Sequence, residues 1–255
     1  ILELVSTLGT IKDEESLTLE TLTLLPTINW DKQLKPHWDI GESGAKKCFI
    51  NFLENGINDY KEGRNFPTKK NVSRLSPYLH FGHISPNQIW DELDTLESTK
   101  DTEHFRSELA WREFSYSQLY FNPDLPEKNL QTKFDHFPWQ DNVNLLKKWQ
   151  SGKTGVPMVD AGMRELWRTG YMHNRVRMIV GSFLVKNLRL HWRHGERWFW
   201  DTLVDADLAN NSASWQWIAG CGADAAPYFR IFNSVTQGQK FDPEGKYIRK
   251  YTYQT

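Results

Sequence analysis

Apolar residues in this chain recur at spacings of three and four, and no window sustains alternation at period two. That pattern limits the fold more than any other feature, because a half-buried sheet needs the second periodicity and packed helices need the first. From Gly41 to Tyr60, Ala45, Phe49, Phe52 and Leu53 share one face. From Val156 to Arg168, Val159, Met163, Leu166 and Trp167 fall on one side, with Pro157 in the first turn, Asp160 near the positive end and Gly170 as a stop. A third window, Met172 to Leu190, turns Val176, Ile179, Val180, Phe183 and Leu184 inward, and a fourth runs from about Thr102 to Tyr120. The expectation is an all-α domain.

The opposite faces carry the chemistry. Asn174, Arg177, Met178 and Gly181 lie across the helix from the third apolar stripe. A mid-helix glycine costs about 1 kcal/mol relative to alanine, which points to close approach of something bulky. On the fourth helix Glu108, Trp111, Arg112 and Ser115 share a stripe. A carboxylate beside an indole and a guanidinium can read a nucleobase by accepting N–H bonds and stacking. The same residues equally suit a half-exposed helix with an ion pair and a packed indole. In the segment from Asn71 to Gly82, Ser73, Arg74 and Ser76 precede Pro77, an arrangement that suits either a bound phosphate or a plain serine cap.

The segment from Asp205 to Asn233 is the most concentrated. It places Asp205, Asp207, Asn210, Asn211, Trp215 and Trp217 before the run Asp-Ala-Ala-Pro-Tyr-Phe-Arg that starts at Asp224. Core segments seldom gather so many groups that need partners when buried. The mixture suits a polar, planar, aromatic ligand held inside the protein.

Composition bounds the rest. A chain of 255 residues can bury a real core, and it has no apolar run long enough to span a membrane. Cys48 and Cys221 form no disulfide framework and no signal-peptide pattern opens the chain, so a reducing, cytoplasmic setting is expected. A net charge of -1 requires any contact with nucleic acid to use a local basic patch. Twelve tryptophans are the anomaly. Residues 1–40 read as a linker and the remnant of a preceding segment, residues 41–255 as the helical domain. A monomer is expected, with no metal site.

Several strings in one order now carry a family resemblance. They are SRLSPYLHFG at Ser73, ELAWREF at Glu108, GVPMVDAGMREL at Gly155, GYMHNRVRM at Gly170, DADLANN at Asp205 and DAAPYFRIFN at Asp224. From about Gly41 onward the chain resembles the helical FAD-binding half of the DNA photolyase and cryptochrome family. The resemblance implies light-driven repair of cyclobutane pyrimidine dimers in DNA. Excited, reduced FAD donates an electron to the flipped dimer, the two cyclobutane bonds split and the electron returns. Met178, Asn211, Trp111 and Trp217 resemble the choices of a class I cyclobutane dimer enzyme.

The resemblance also implies residue roles. Tyr60 and the loop Val72, Ser73, Arg74, Leu75, Ser76 would hold the FAD phosphates. Phe105 stands where a stacking tryptophan is common. Asn174, Arg177, Asp205, Ala206 and Asp207 would bond the flavin ring and ribose, and Asn211 would face flavin N5. Glu108 would bond the base edge of the dimer, Trp111 and Trp217 would wall it, and Met178 would touch a base. Trp215, Trp192 and Trp139 match an electron-transfer chain to the surface. Arg64, Arg112, Arg175, Arg230 and Lys240 would form a basic rim for DNA phosphates, with Gln237 as a neutral contact and Asn174 alongside. An antenna chromophore, folate or deazaflavin, is expected in an α/β domain outside this sequence. Val72 replaces a common hydroxyl, and Ser212 to Ser214 replaces Asn-Gly-Gly. Two other readings are a cryptochrome-type photoreceptor with the same FAD and no repair, and a flavin-free helical binding module.

Overall fold

A computed structural model describes residues 17–24, 26–225 and 230–252. The stretch 1–16 of the expected linker, and Ala226 to Phe229 within the last family string, lie outside the described residues. Among the described residues every regular element is helical, and a single pairing of Gln140 with Leu190 is an isolated bridge.

Helix α1 (Glu42–Asn55) buries Ala45, Phe49 and Phe52 and stops at Gly56, short of the expected Tyr60. Tyr60 instead opens a four-residue turn of helix, α2 (Tyr60–Gly63). Pro77 sits in the first turn of α3 (Ser76–His80). Reciprocal capping boxes start the next two helices, Ser85 with Gln88 for α4 (Pro86–Asp94) and Thr99 with Thr102 for α5 (Lys100–Phe121). Asn142 caps α6 (Val143–Gln150).

Helix α7 (Pro157–Thr169) follows its sequence signals closely. Pro157 is in the first turn and Gly170 closes the helix at φ 67°. The buried Asp160 accepts bonds from Thr154 N, Thr154 Oγ1 and Gly155 N, which ties the entering loop to the first turn. Helix α8 (Asn174–Ser182) is shorter than expected, because the chain widens into a π-turn over Phe183–Asn187. Helices α9 (Trp192–Thr202), α10 (Leu208–Ala219), α11 (Ser234–Phe241) and α12 (Lys246–Thr252) complete the domain.

The apolar faces collapse into two cores. Phe49, Phe52, Tyr60, Leu75, Ile89 and Phe105 fill the one built by α1 to α5. Trp149, Met163, Val176, Ile179, Trp192 and Trp215 belong to the larger one, to which α6 to α10 and α12 contribute. Each fully buried side chain of this kind contributes about 1.5–3 kcal/mol. Gly162 lets α7 lie against α8, since a Cβ there would sit 2.5 Å from Val176. Helix α5 of the first core packs on α10 of the second, and a cavity opens beside that contact.

Candidate functional site

A cavity of about 760 Å³ opens between α2 and α5 on one side and α8 and α10 on the other. The polar stripe of α8 (Asn174, Arg177, Met178 and Gly181) lines it, and so does the α5 stripe of Glu108, Trp111, Arg112 and Ser115. Asp205, Ala206, Asp207, Asn211, Trp215 and Trp217 come from the densest polar segment of the sequence and close the far wall. The helical spacing that put each set on one face is what aims it at one space.

Two carboxylates fix the floor. Asp205 is buried and takes Arg177 Nη2 at 2.8 and 3.1 Å and Ser76 Oγ at 2.6 Å. Arg177 Nε donates to Met172 O at 2.7 Å, so the buried cation is paired and its fork is held. Asp207 caps α10 by accepting Asn210 N at 2.8 Å and also takes the Tyr116 hydroxyl. Burial opposes the charge on Asp207, but the bonds from Tyr116 and Asn210 outweigh it and hold the carboxyl below its usual range. Burial and the Asp207 contact push Tyr116 up to about 12.

Asn211 is 8% exposed, and its Nδ2 donates to Glu196 O at 2.9 Å and Glu196 Oε1 at 3.2 Å. With both donors committed, the carbonyl Oδ1 is the end left for the cavity. Burial raises the Glu196 carboxyl, and Arg193 and Arg197 oppose that shift.

The arginines expected on a rim divide into two groups. Arg64 is an inward residue: its side chain is 13% exposed, it pairs with Glu108, and it donates to His104 Nε2 at 3.0 Å. Arg175 bonds Asn65 and lies 4.6 Å over the Phe241 ring, with its proton affinity lowered by burial and then by Arg64 and Arg230. Arg112 is tied to Glu113 and to the Tyr116 hydroxyl. Arg230 is exposed over Phe232, and Lys240 is exposed over Phe241. The Gln237 Oε1 is buried and without a partner among the described residues.

The expected phosphate residues stand behind the wall. Tyr60, Leu75 and Phe105 are core side chains, with Tyr60 and Phe105 rings 5.2 Å apart. Arg74 has φ 53° and stacks its guanidinium over Trp38 and Tyr171. Ser73 bonds locally to Leu75 N at 3.4 Å, and its carbonyl takes the Cys48 thiol. Val72 is half-buried in that same loop. Ser76 reaches the cavity only through Asp205.

The three tryptophans occupy graded depths. Trp215 lines the cavity, Trp192 is fully buried and Trp139 is partly exposed. Trp215 lies flat against the backbone of α9 at Gly195, one turn beyond Trp192. His191 stands 5.6 Å from the Trp192 ring and 5.1 Å from the Trp139 ring. Sequence reasoning missed Trp149, which meets Trp215 edge-on at 6.2 Å, and it missed Tyr116, Glu196 and His104. His104 alone left a signal, because it stands four residues before Glu108 on α5.

The model of the FAD-binding domain of DNA photolyase matches residues 105–254. The chain is 50% identical over 241 residues to the deoxyribodipyrimidine photo-lyase of Agrobacterium fabrum, covering 93% of this chain and 50% of that protein. It is 41% identical to Cryptochrome-2 of Arabidopsis thaliana over 224 residues, which is 84% of this chain and 37% of that one. The crystal structure of a class III photolyase from Agrobacterium tumefaciens superposes with a TM-score of 0.89 at 49% identity, covering 92% of this chain and 50% of that chain. The chain therefore spans half the length of these two photolyases. No described helix is long and apolar enough to cross a membrane.

Proposed function

This chain belongs to the family of FAD-binding domains of DNA photolyase, and we propose that it repairs cyclobutane pyrimidine dimers in DNA under light. The observation that carries the reading is one cavity lined both by Asn211, Arg177 and Asp205 and by Glu108, Trp111 and Trp217. A planar ring with N–H and carbonyl edges suits the first group, and a flipped pyrimidine dimer suits the second. FAD, when bound and reduced, supplies the photoexcited electron for dimer splitting and takes it back.

The residues that would hold FAD are Asn174, Arg177, Asp205, Ala206, Asp207 and Asn211, with Ser76 acting through Asp205. Asn211 Oδ1 offers an acceptor to a ring N–H, and Arg177 brings a compensated positive charge. On the substrate side Glu108 Oε2 would accept a base N–H, Trp111 and Trp217 would wall the dimer, and Met178 would touch a base. A distorted dimer is flipped at lower cost than a stacked pair, which gives selectivity. Arg175, Arg230 and Lys240 would hold the DNA backbone, with Gln237 beside them. Trp215, Trp192 and Trp139 would deliver electrons that reduce the flavin beforehand. Residues 41–255 would then be the catalytic unit, and an antenna chromophore would bind elsewhere in a longer protein.

Met178, Asn211, Trp111 and Trp217 support dimer chemistry, while a class III photolyase is 49% identical over 92% of the chain. A photoreceptor reading has one observation in its favour, the 41% identity to a cryptochrome. Asn211, where plant cryptochromes typically carry aspartate, favours repair. Dark binding separates a flavin-free module from both. The full chain mixed with FAD should retain the flavin through gel filtration and prefer a dimer-containing oligonucleotide to its undamaged copy. A chain that retains no FAD overturns the reading.

A further inference from the structure

Two one-turn pairs face each other at the edge of the cavity. Tyr60 and Arg64 begin and follow α2, and His104 and Glu108 lie on α5. The Arg64 guanidinium sits 5.2 Å over the Tyr60 ring, and its Nη1 bridges Glu108 Oε1 and His104 Nε2, the latter at 3.0 Å. The two acceptors are 3.7 Å apart, and the imidazole itself packs 5.9 Å from the Tyr60 ring. Arginine only donates, so His104 Nε2 accepts and the ring carries its proton on Nδ1. Arg64, His104 and Glu108 all line the cavity, with Tyr60 behind them.

A long arginine side chain has many rotamers open to it and would otherwise swing toward solvent. The Tyr60 face, the His104 acceptor and the Glu108 carboxylate hold it inward. We propose that His104 is a positioning residue for substrate: it fixes Arg64 against Glu108, so that Glu108 stays paired through Oε1 and presents Oε2 to the N–H edge of a pyrimidine. This rests on the photolyase reading of the same cavity.

The test compares His104→Leu with His104→Gln in the full chain with FAD bound. Glutamine keeps an acceptor for Arg64 and leucine does not. Dark binding of an oligonucleotide with one thymine cyclobutane dimer is measured against the undamaged strand, together with repair per absorbed photon. His104→Leu should lose about tenfold in preference for the dimer, the equivalent of one charge-assisted hydrogen bond, and His104→Gln should stay within about twofold of wild type. In an Arg64→Leu background the His104→Leu change should add nothing. Equal losses in the leucine and glutamine variants, no loss in the leucine variant, or additive losses with Arg64→Leu would overturn the proposal. If the leucine variant does not fold, a tenfold loss in the glutamine variant overturns it equally. Wild-type protein that holds reduced FAD but neither prefers the dimer nor repairs it removes the photolyase reading, and this inference with it.

Discussion

Asn211 spends both hydrogens of its side-chain amide on Glu196, one on the backbone carbonyl at 2.9 Å and one on Oε1 at 3.2 Å. The amide orientation is thereby fixed from behind, by a residue on α9 that does not line the cavity. A site that must present an acceptor gains it from the neighbour that absorbs the donors.

Asn211→Asp removes those donors and sets a carboxylate against the Glu196 carbonyl and carboxyl. Burial and the like charge should raise the pKa of the new acid above about 3.9. Its share of stability is then present at low pH, where the protonated acid can donate, and is lost as pH rises through the raised value. Thermal unfolding should show the variant lower by about 1–3 kcal/mol at neutral pH and closer to wild type in acid.

Asp205→Ala strands the Arg177 cation beside an empty place and also frees Ser76. Breaking a buried pair by removing one partner costs about 3–5 kcal/mol. Urea unfolding should show a loss of that size, and FAD should no longer stay with the chain through gel filtration.

Gly195→Ala places a Cβ 2.1 Å from the Trp215 ring. The ring must move, and overpacking of this kind costs about 1–3 kcal/mol. Light-driven reduction of bound FAD should slow together with the drop in unfolding midpoint, because the same ring lines the cavity and packs against α9 at Gly195.

His173 is held neutral in the fold. Burial, and then the charges of Arg177, Arg64 and Arg175, lower its pKa from 6.5 to about 3. A depressed folded value means the contribution is complete above the unfolded pKa and is lost as pH falls from about 6.5 toward 3. The slope should approach about 1.4 kcal/mol per pH unit in that window. Glu165, which accepts the His173 N–H and is pushed up by burial, acts in the opposite sense. Comparing wild type with His173→Asn, which keeps an oxygen for the Arg175 N–H, isolates the imidazole: the variant's unfolding midpoint should fall less steeply with acid.

What was legible in the sequence was periodic. The stripes Glu108–Trp111–Arg112–Ser115 and Asn174–Arg177–Met178–Gly181 repeat at helical spacing, so composition and position together aimed them at one space. Pro157, Asp160 and Gly170 marked α7 because capping is local chemistry. The early stop of α8 was illegible, since the apolar stripe continues through the π-turn at Phe183–Asn187. Arg64 and Glu108 are 44 residues apart, and Asn211 and Glu196 are 15 apart on different helices. No spacing rule connects such pairs; only the packing of α5 on α2 and of α10 on α9 does. For the same reason nothing in the sequence signalled that Arg64 pairs with Glu108, or that the loop from Val72 to Ser76 meets Cys48, Trp38 and Tyr171.

The most direct measurement is repair of an oligonucleotide carrying a single thymine cyclobutane dimer by the purified chain with FAD and reductant, in light and in the dark. The account predicts restoration of the intact thymines in light only, and its loss in Glu108→Ala. A chain that visibly holds reduced FAD and leaves the dimer untouched in light would contradict it.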